Sequence, residues 1–302
     1  MIEEFFTNQI PPGSMKMDPE CIPCLLGRVF FETELVAPNR ALGVMKESLE
    51  ILNNGFYEGV NSAELATEVH RRAYHLMGSE DPYLELKIRA DEVALSLLPR
   101  AEEYIDASTD RLNAAILCAI AGNVMDFGIG KGFDDPEDLV EAFDSILAQP
   151  LGINDLPEIE RLLESSEKVL YFLDNCGEQV FDKLLVREIQ SIGVEVTGVV
   201  KGRPVLTDVT LEDARRSSIL DQFDRVLDTG TFAVGVSLER MSNTLLEYMK
   251  GADLIIAKGM ANFEALSDHD FRPIAYVMRA KCRPVAKAIG AKKDDNVVKL
   301  YE

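Results

Sequence analysis

A carboxylate and an amide stand side by side at Asp174-Asn175, directly after the apolar, β-prone run Lys168-Val169-Leu170-Tyr171-Phe172-Leu173. Cys176, Gly177 and Glu178 follow, and then a stretch with helical spacing over 179–192. Such a polar pair contributes little to a core. It suits the exposed carboxyl edge of a parallel sheet, where open α/β proteins place their ligands. Its hard oxygen donors suit Mg2+ or a similar cation. A helix cap accounts for one of the two residues, but it accounts less well for the pair together with Gly177 and Glu178.

Asp208 lies at the end of the segment Lys201-Gly202-Arg203-Pro204-Val205-Leu206-Thr207-Asp208. It can cap a helix that begins at Leu211, as can Thr210. With Asp174 on the neighbouring strand end, a second metal carboxylate is the better reading. Two carboxylates and the Asn175 amide oxygen leave an octahedral ion with positions open to water and substrate oxygen.

Lys258 follows the apolar run 254–257. It is either a surface lysine or a phosphate ligand. Gly259 beside it allows a ligand close approach to the backbone, and a helix opening near Asn262 offers free N–H groups to an anion. Gly122-Asn123-Val124-Met125-Asp126 reads as a helix end with a glycine stop and polar loop residues. Cys21-Ile22-Pro23-Cys24 has the spacing of two metal ligands or a redox pair, with buried apolar thiols as the competing reading. Cys282 is the first candidate partner for that pair. His70, His75 and His269 show no recognisable metal spacing.

The elements that must position these residues fall into two compositional halves. Residues 18–150 predict a helical domain: apolar residues recur at three and four spacing, as in Leu112, Ala115, Ile116 and Ala119. Asp18-Pro19, Pro38-Asn39, Asn61-Ser62, Asp81-Pro82, Thr109-Asp110 and Asp135-Pro136 open its helices. The helix after Asp81-Pro82 is expected to run through Leu98, and residues 151–156 read as a linker. Residues 151–302 predict the α/β metal- and substrate-binding domain. Strands are expected at 169–173, 194–200, 225–227, 254–257, 274–278 and 297–300, with helices at 179–192, 211–218, 238–249 and 283–289. Such alternation gives a mainly parallel sheet covered on both faces. Asp174, Asp208, Asp228, Lys258 and Lys281 then gather on one sheet edge, as a binding site requires. Residues 1–17 read as a flexible tail, with Met15 or Met17 as alternative starts.

The apolar fraction of 47% is enough to bury a large core. A net charge of −21 argues against nucleic acid as a partner. It leaves small phosphorylated ligands open, because a bound cation reverses the local field. No apolar run reaches membrane-spanning length, and the acidic Met1-Ile2-Glu3-Glu4 is unlike a secretory signal. Five cysteines do not suit a disulfide framework, so the expected compartment is cytoplasmic.

Together these segments resemble the DUF89 family of damage-control phosphatases. The resemblance is carried by Cys21-x-x-Cys24, Asp81-Pro82-Tyr83, Gly122-Asn123-x-x-Asp126, Asp174-Asn175-x-Gly177-Glu178, Gly202-Arg203-Pro204 through Asp208, and Lys258-Gly259-Met260-Ala261-Asn262-Phe263-Glu264. The cysteine pair and the last segment look like the archaeal-type branch. The resemblance implies an all-helical N-terminal domain followed by a Rossmann-like three-layer α/β/α domain. It implies hydrolysis of small phosphate monoesters, such as sugar phosphates or damaged phosphometabolites. It implies a divalent metal (Mg2+, Mn2+, Co2+ or Ni2+) on Asp174, Asn175 and Asp208, and phosphate or substrate contacts from Asn123, Asp126, Lys258 and Asn262. On that basis Lys258 and N–H groups near Gly259 neutralise phosphoryl charge. Glu178 orients the water, and the nucleophile is either a water on the metal or Asp174 itself. Methyl transfer from S-adenosylmethionine is a competing reading, lowered by the lack of a Gly-x-Gly-x-x-Gly loop after the first strand. A non-enzymatic metabolite-binding regulator with Cys21 and Cys24 as sensor is another.

Overall fold

The computed structural model describes residues 14–124 and 135–302. Six helices come first: α1 (Cys21–Val36), α2 (Ala41–Gly55), α3 (Ser62–Met77), α4 (Leu84–Ala107), α5 (Arg111–Gly122) and α6 (Asp138–Leu147). Their starts follow the polar residues that the sequence offers. The Asn61 side chain accepts from the Ala63 and Glu64 N–H groups at the head of α3, and Asp110 accepts from Asn113 N at the head of α5. Gly78 closes α3 in the left-handed region.

Strands and helices then alternate: β1 (Leu151–Asn154), α7 (Leu156–Leu163), β2 (Lys168–Phe172), α8 (Glu178–Gln190), β3 (Glu195–Val200), α9 (Leu211–Arg216) and β4 (Arg225–Asp228). They continue through α10 (Asn243–Gly251), β5 (Leu254–Lys258), α11 (Gly259–Leu266), β6 (Ile274–Arg279), α12 (Arg283–Ile289) and β7 (Asn296–Tyr301). The seven strands form one sheet in the order β1-β7-β6-β5-β2-β3-β4. The run β6-β5-β2-β3-β4 is parallel, and β7 pairs antiparallel with β6. The chain winds outward from β2 to β3 and β4, then returns to the other side of β2 through β5. The ends of β2 and β5 therefore flank the switch point of the sheet, where connecting loops diverge and leave a crevice.

Both faces of the sheet are covered. On β6, Ala275 and Val277 border the same apolar seam as Leu112 of α5, Ile159 of α7 and Leu185 of α8. Tyr276, between them, packs edge-on against Phe263 of α11 at 5.0 Å. The two-residue period of a strand sends successive side chains to opposite layers.

Four expectations are corrected. Residues 151–156 are not a linker: they hold β1 and the start of α7, and the half-exposed β1 pairs in parallel with β7 at the sheet edge. The helix expected to stop at Leu98 continues to Ala107 with Pro99 inside it, because Ala94, Leu97, Ala101 and Ile105 bury one face across the proline. The helical half is not a separate core: buried residues of α4, α5 and α6 join the sheet's cluster, and α1, α2 and α3 share a smaller one. The expected tail does not include Met15 or Met17, and residues 1–13 lie outside the described residues. Met15 and Met17 are buried, and Met15 N donates to Ser267 Oγ at 2.9 Å. Among the described residues no helix is long and apolar enough to cross a membrane.

Candidate active site

β2 ends at Phe172, and the next residues are held by the neighbouring loop after β3. Asp174 O accepts from Val209 N at 2.8 Å, Cys176 N donates to Thr207 O at 2.8 Å, and Asn175 and Asp208 form an isolated antiparallel bridge. This short ladder sets the two acid-bearing segments side by side. Asp174, Asn175 and Asp208 are all buried, at 5%, 3% and 3% exposure, and all border one cleft of about 540 Å3.

Asp174 Oδ2 accepts from Asn175 Nδ2 at 2.6 Å and from Asn123 Nδ2 at 3.0 Å. Asn123 reaches it from the end of α5. The helix ends at Gly122, as expected, and Gly122 is also a contact point. A Cβ on Gly122 would meet the Glu178 backbone Cα and the Phe181 ring, each at 2.8 Å, so only glycine lets α5 approach α8 this closely. Asn123 Nδ2 also donates to Glu178 Oε2 at 2.7 Å, which couples the Asp174 and Glu178 carboxylates through one amide.

Glu178 and Asp182 are one turn apart on α8, and both meet Lys258. The Lys258 ammonium lies 2.6 Å from Glu178 Oε1 and 2.5 Å from Asp182 Oδ1, with no exposure on any of the three side chains. Tyr171 OH donates to the same Asp182 oxygen at 2.6 Å. Burial disfavours the Lys258 ammonium, but Asp182 and Glu178 outweigh it and hold its pKa above the ordinary lysine value. Burial pushes Asp182 up to about 6, with Lys258 offsetting part of the rise. Lys258, expected as a phosphate ligand, is thus turned inward and pairs behind the site instead of bordering the cleft.

Gly259 has φ +73°, and a Cβ there would lie 1.8 Å from Asp174 Oδ2. The first turn of α11 therefore sits directly against the Asp174 carboxylate. Asn262, expected to meet substrate, is fully buried as an internal tie. Its Nδ2 donates to Leu173 O at 3.1 Å and to Lys258 O at 2.7 Å, and its Oδ1 accepts from Lys201 Nζ at 3.4 Å. Asp126 lies outside the described residues.

Four contributors were given no role in the sequence-based site, although Lys281 was placed on its edge. Lys201 is 3.2 Å from Asp208 Oδ2 and donates to Gly235 O. Lys281 borders the cleft and donates to Asn123 O at 2.6 Å. Asp182 completes the pocket of Lys258; the four-residue spacing from Glu178 was its only sequence signal. His70, from α3, also borders the cleft. Cys21, Cys24 and Cys282 also border it, and burial pushes the Cys21 and Cys282 thiols up to about 12. Among the described residues, no group of three or more His, Cys, Asp or Glu forms a ready metal cage. The donor set at issue is two carboxylates with one amide.

Buried acids at the switch point of a mostly parallel sheet place this chain in the class of open α/β proteins that bind their ligands at the carboxyl ends of their strands. Residues 17–297 match the family model described as the damage-control phosphatase ARMT1-like domain. The chain is 41% identical to a damage-control phosphatase of Archaeoglobus fulgidus, over 95% of this chain and all of that one. It is 31% identical to a damage-control phosphatase of Pyrococcus horikoshii, over 92% and 96% of the two chains. It also matches the crystal structure of a DUF89 family protein from Pyrococcus horikoshii with a TM-score of 0.84 at 30% identity, over 95% of this chain and all of that one. The chain belongs to the damage-control phosphatase ARMT1-like family, as its motifs led us to expect. It is a phosphatase of the hydrolase class.

Proposed function

We propose that this phosphatase hydrolyses small phosphate monoesters, sugar phosphates or damaged phosphometabolites, with a divalent cation held by Asp174, Asn175 and Asp208. The observation that carries the reading is the Asn175–Asp208 bridge, which brings two buried carboxylates and an amide to one cleft. The two carboxylates fit such an ion as hard oxygen ligands on a rigid backbone, with Gly259 giving the Asp174 carboxylate the room it occupies against α11. The Asn175 Oδ1 accepts from Thr207 Oγ1 at 2.6 Å while its Nδ2 faces Asp174, so the amide would join the ion by turning over. When bound, the cation supplies Lewis-acid polarisation of a phosphoryl oxygen.

The chain's own residues supply the rest. Glu178, fully buried behind the cleft, is held by Lys258 on Oε1 and by Asn123 and Asn175 on Oε2, so its part in orienting the attacking water is exerted through the two amides it fixes beside Asp174. Lys281, anchored on Asn123 O, adds positive charge at the cleft, and the N–H groups opening α11 add further donors to phosphoryl oxygens. Lys258 is a positioning residue for Glu178. Asn123 orients both Asp174 and Glu178. The net charge of −21 fits a small anion delivered to a cation rather than to a basic surface, and a cytoplasmic setting suits such metabolites.

The test is a phosphatase panel with Mg2+, Mn2+, Co2+ and Ni2+ on the wild type, Asp174→Ala and Asp208→Ala, with metal binding followed by calorimetry. Loss of both turnover and metal binding in folded variants is the expected result. Unchanged turnover would reject the assignment.

A further inference from the structure

One imidazole on the cleft wall has no role in the chemistry above. His70 is fully buried, borders the cleft, and sits on the α3 stripe Ser62, Ala66 and His70 that faces it at four-residue intervals. Its Nδ1 lies 2.9 Å from Glu32 Oε1, itself fully buried on α1. Its Nε2 has no hydrogen-bond partner. A buried ring nitrogen left without one loses free energy unless something else supplies the bond.

The wall that carries it is fixed to the metal-side loop. Tyr74, one turn along α3, accepts from Leu206 N at 3.0 Å through its hydroxyl, two residues before Asp208. Thr67, on the same helix, accepts from Val234 N at 2.9 Å. A phosphate ester bound at Asp174 and Asp208 would extend its organic part into a cleft that α3 also borders.

We propose that His70 Nε2 is a specificity-determining contact that reads a hydroxyl group on the organic portion of the substrate. A carboxylate accepts and does not donate, so in the neutral imidazole the Glu32 contact puts the proton on Nδ1 and leaves Nε2 an acceptor. An acceptor there calls for a donor, which a polyhydroxylated leaving group has and an aryl leaving group lacks. The neighbours facing the pair are Glu32 on α1 and the Tyr74 ring, which stands edge-on to the imidazole at 6.3 Å. This inference rests on the phosphatase reading.

Two substitutions separate substrate contact from a structural role. His70→Asn keeps a polar atom near Nδ1 for Glu32 and deletes Nε2; His70→Gln keeps a polar atom near Nε2. Both are compared with the wild type on a sugar phosphate and on p-nitrophenyl phosphate, with Tm measured alongside. For His70→Asn the ratio of kcat/KM for the sugar phosphate over the aryl phosphate falls about tenfold, carried mainly by KM, the loss of one hydrogen bond. His70→Gln restores part of that ratio whatever its Tm. An unchanged ratio in His70→Asn, or a ratio that tracks Tm across both variants, overturns the proposal and leaves the phosphatase reading in place. Turnover of neither substrate by the wild type, with metal added, overturns both.

Discussion

Gly259 lies so close beneath Asp174 that a Cβ on it would sit 1.8 Å from the Asp174 Oδ2 oxygen. Its φ of +73° is itself a conformation that side-chain-bearing residues rarely adopt. Gly259→Ala must therefore move either the carboxylate or the first turn of α11. The expected outcome is a fall in kcat/KM of about a hundredfold, with backbone strain adding about 1–3 kcal/mol of destabilisation. Kinetics with saturating metal, alongside urea unfolding, separate the two effects. A variant with wild-type turnover would show that Asp174 does not need its present position.

The Lys258 ammonium is enclosed with Glu178 and Asp182, all without exposure. Replacing it by methionine retains most of the volume but strands two buried carboxylates. Breaking such a cluster costs about 3–5 kcal/mol, far above a surface ion pair. Lys258→Met should lower the urea midpoint sharply and reduce kcat through the loss of Glu178 positioning. Lys258→Arg should rescue neither, because the guanidinium fork does not fit a cavity shaped for a point charge.

The β2 junction was legible because an apolar run ends abruptly in Asp174-Asn175 and no core use explains both. The central strands were legible from their β-branched runs. β1 was not: it has four residues, alternates half-exposed with exposed, and pairs only at the edge. The continuation of α4 past Pro99 depends on burial of Leu97, Ala101 and Ile105, a tertiary effect that overrides a local breaker. Lys258 was marked by its position at a strand end, yet its direction was hidden. It turns inward because Glu178 and Asp182 repeat at four residues on α8, and only the packing of α8 against the sheet brings them to it. His70 was passed over because spacing along the chain says nothing of a glutamate 38 residues away.

Asn123 donates from one amide nitrogen to both Asp174 and Glu178. Asn123→Asp is nearly isosteric and replaces that donor with a third carboxylate. The change therefore acts through charge and not through volume. We expect kcat to fall by about a hundredfold and more steeply than in Asn123→Ala, which leaves room for water to bridge the two acids. The ranking of the two variants at saturating metal checks the argument; equal losses would point to packing alone.

Asp182 provides a pH test. Burial raises its carboxyl to about 6, and Lys258 offsets only part of the rise. Between the ordinary carboxylate value of about 4 and that raised value, the folded chain keeps a proton that the unfolded chain has released. This group's contribution to stability therefore falls as pH climbs through that window, opposite in sign to an acid whose pKa folding depresses. Asp182→Asn removes the titration, while its amide oxygen still accepts from Lys258 and Tyr171. Relative to the wild type, the Tm of the variant should fall less, or rise more, from about pH 4 to about pH 6.5. Above that window the two curves should run parallel, because Asp182 is then ionised in both the folded and the unfolded wild type. Differential scanning calorimetry across that range measures the difference in slope, and equal slopes would mean that Asp182 titrates at its ordinary value beside Lys258.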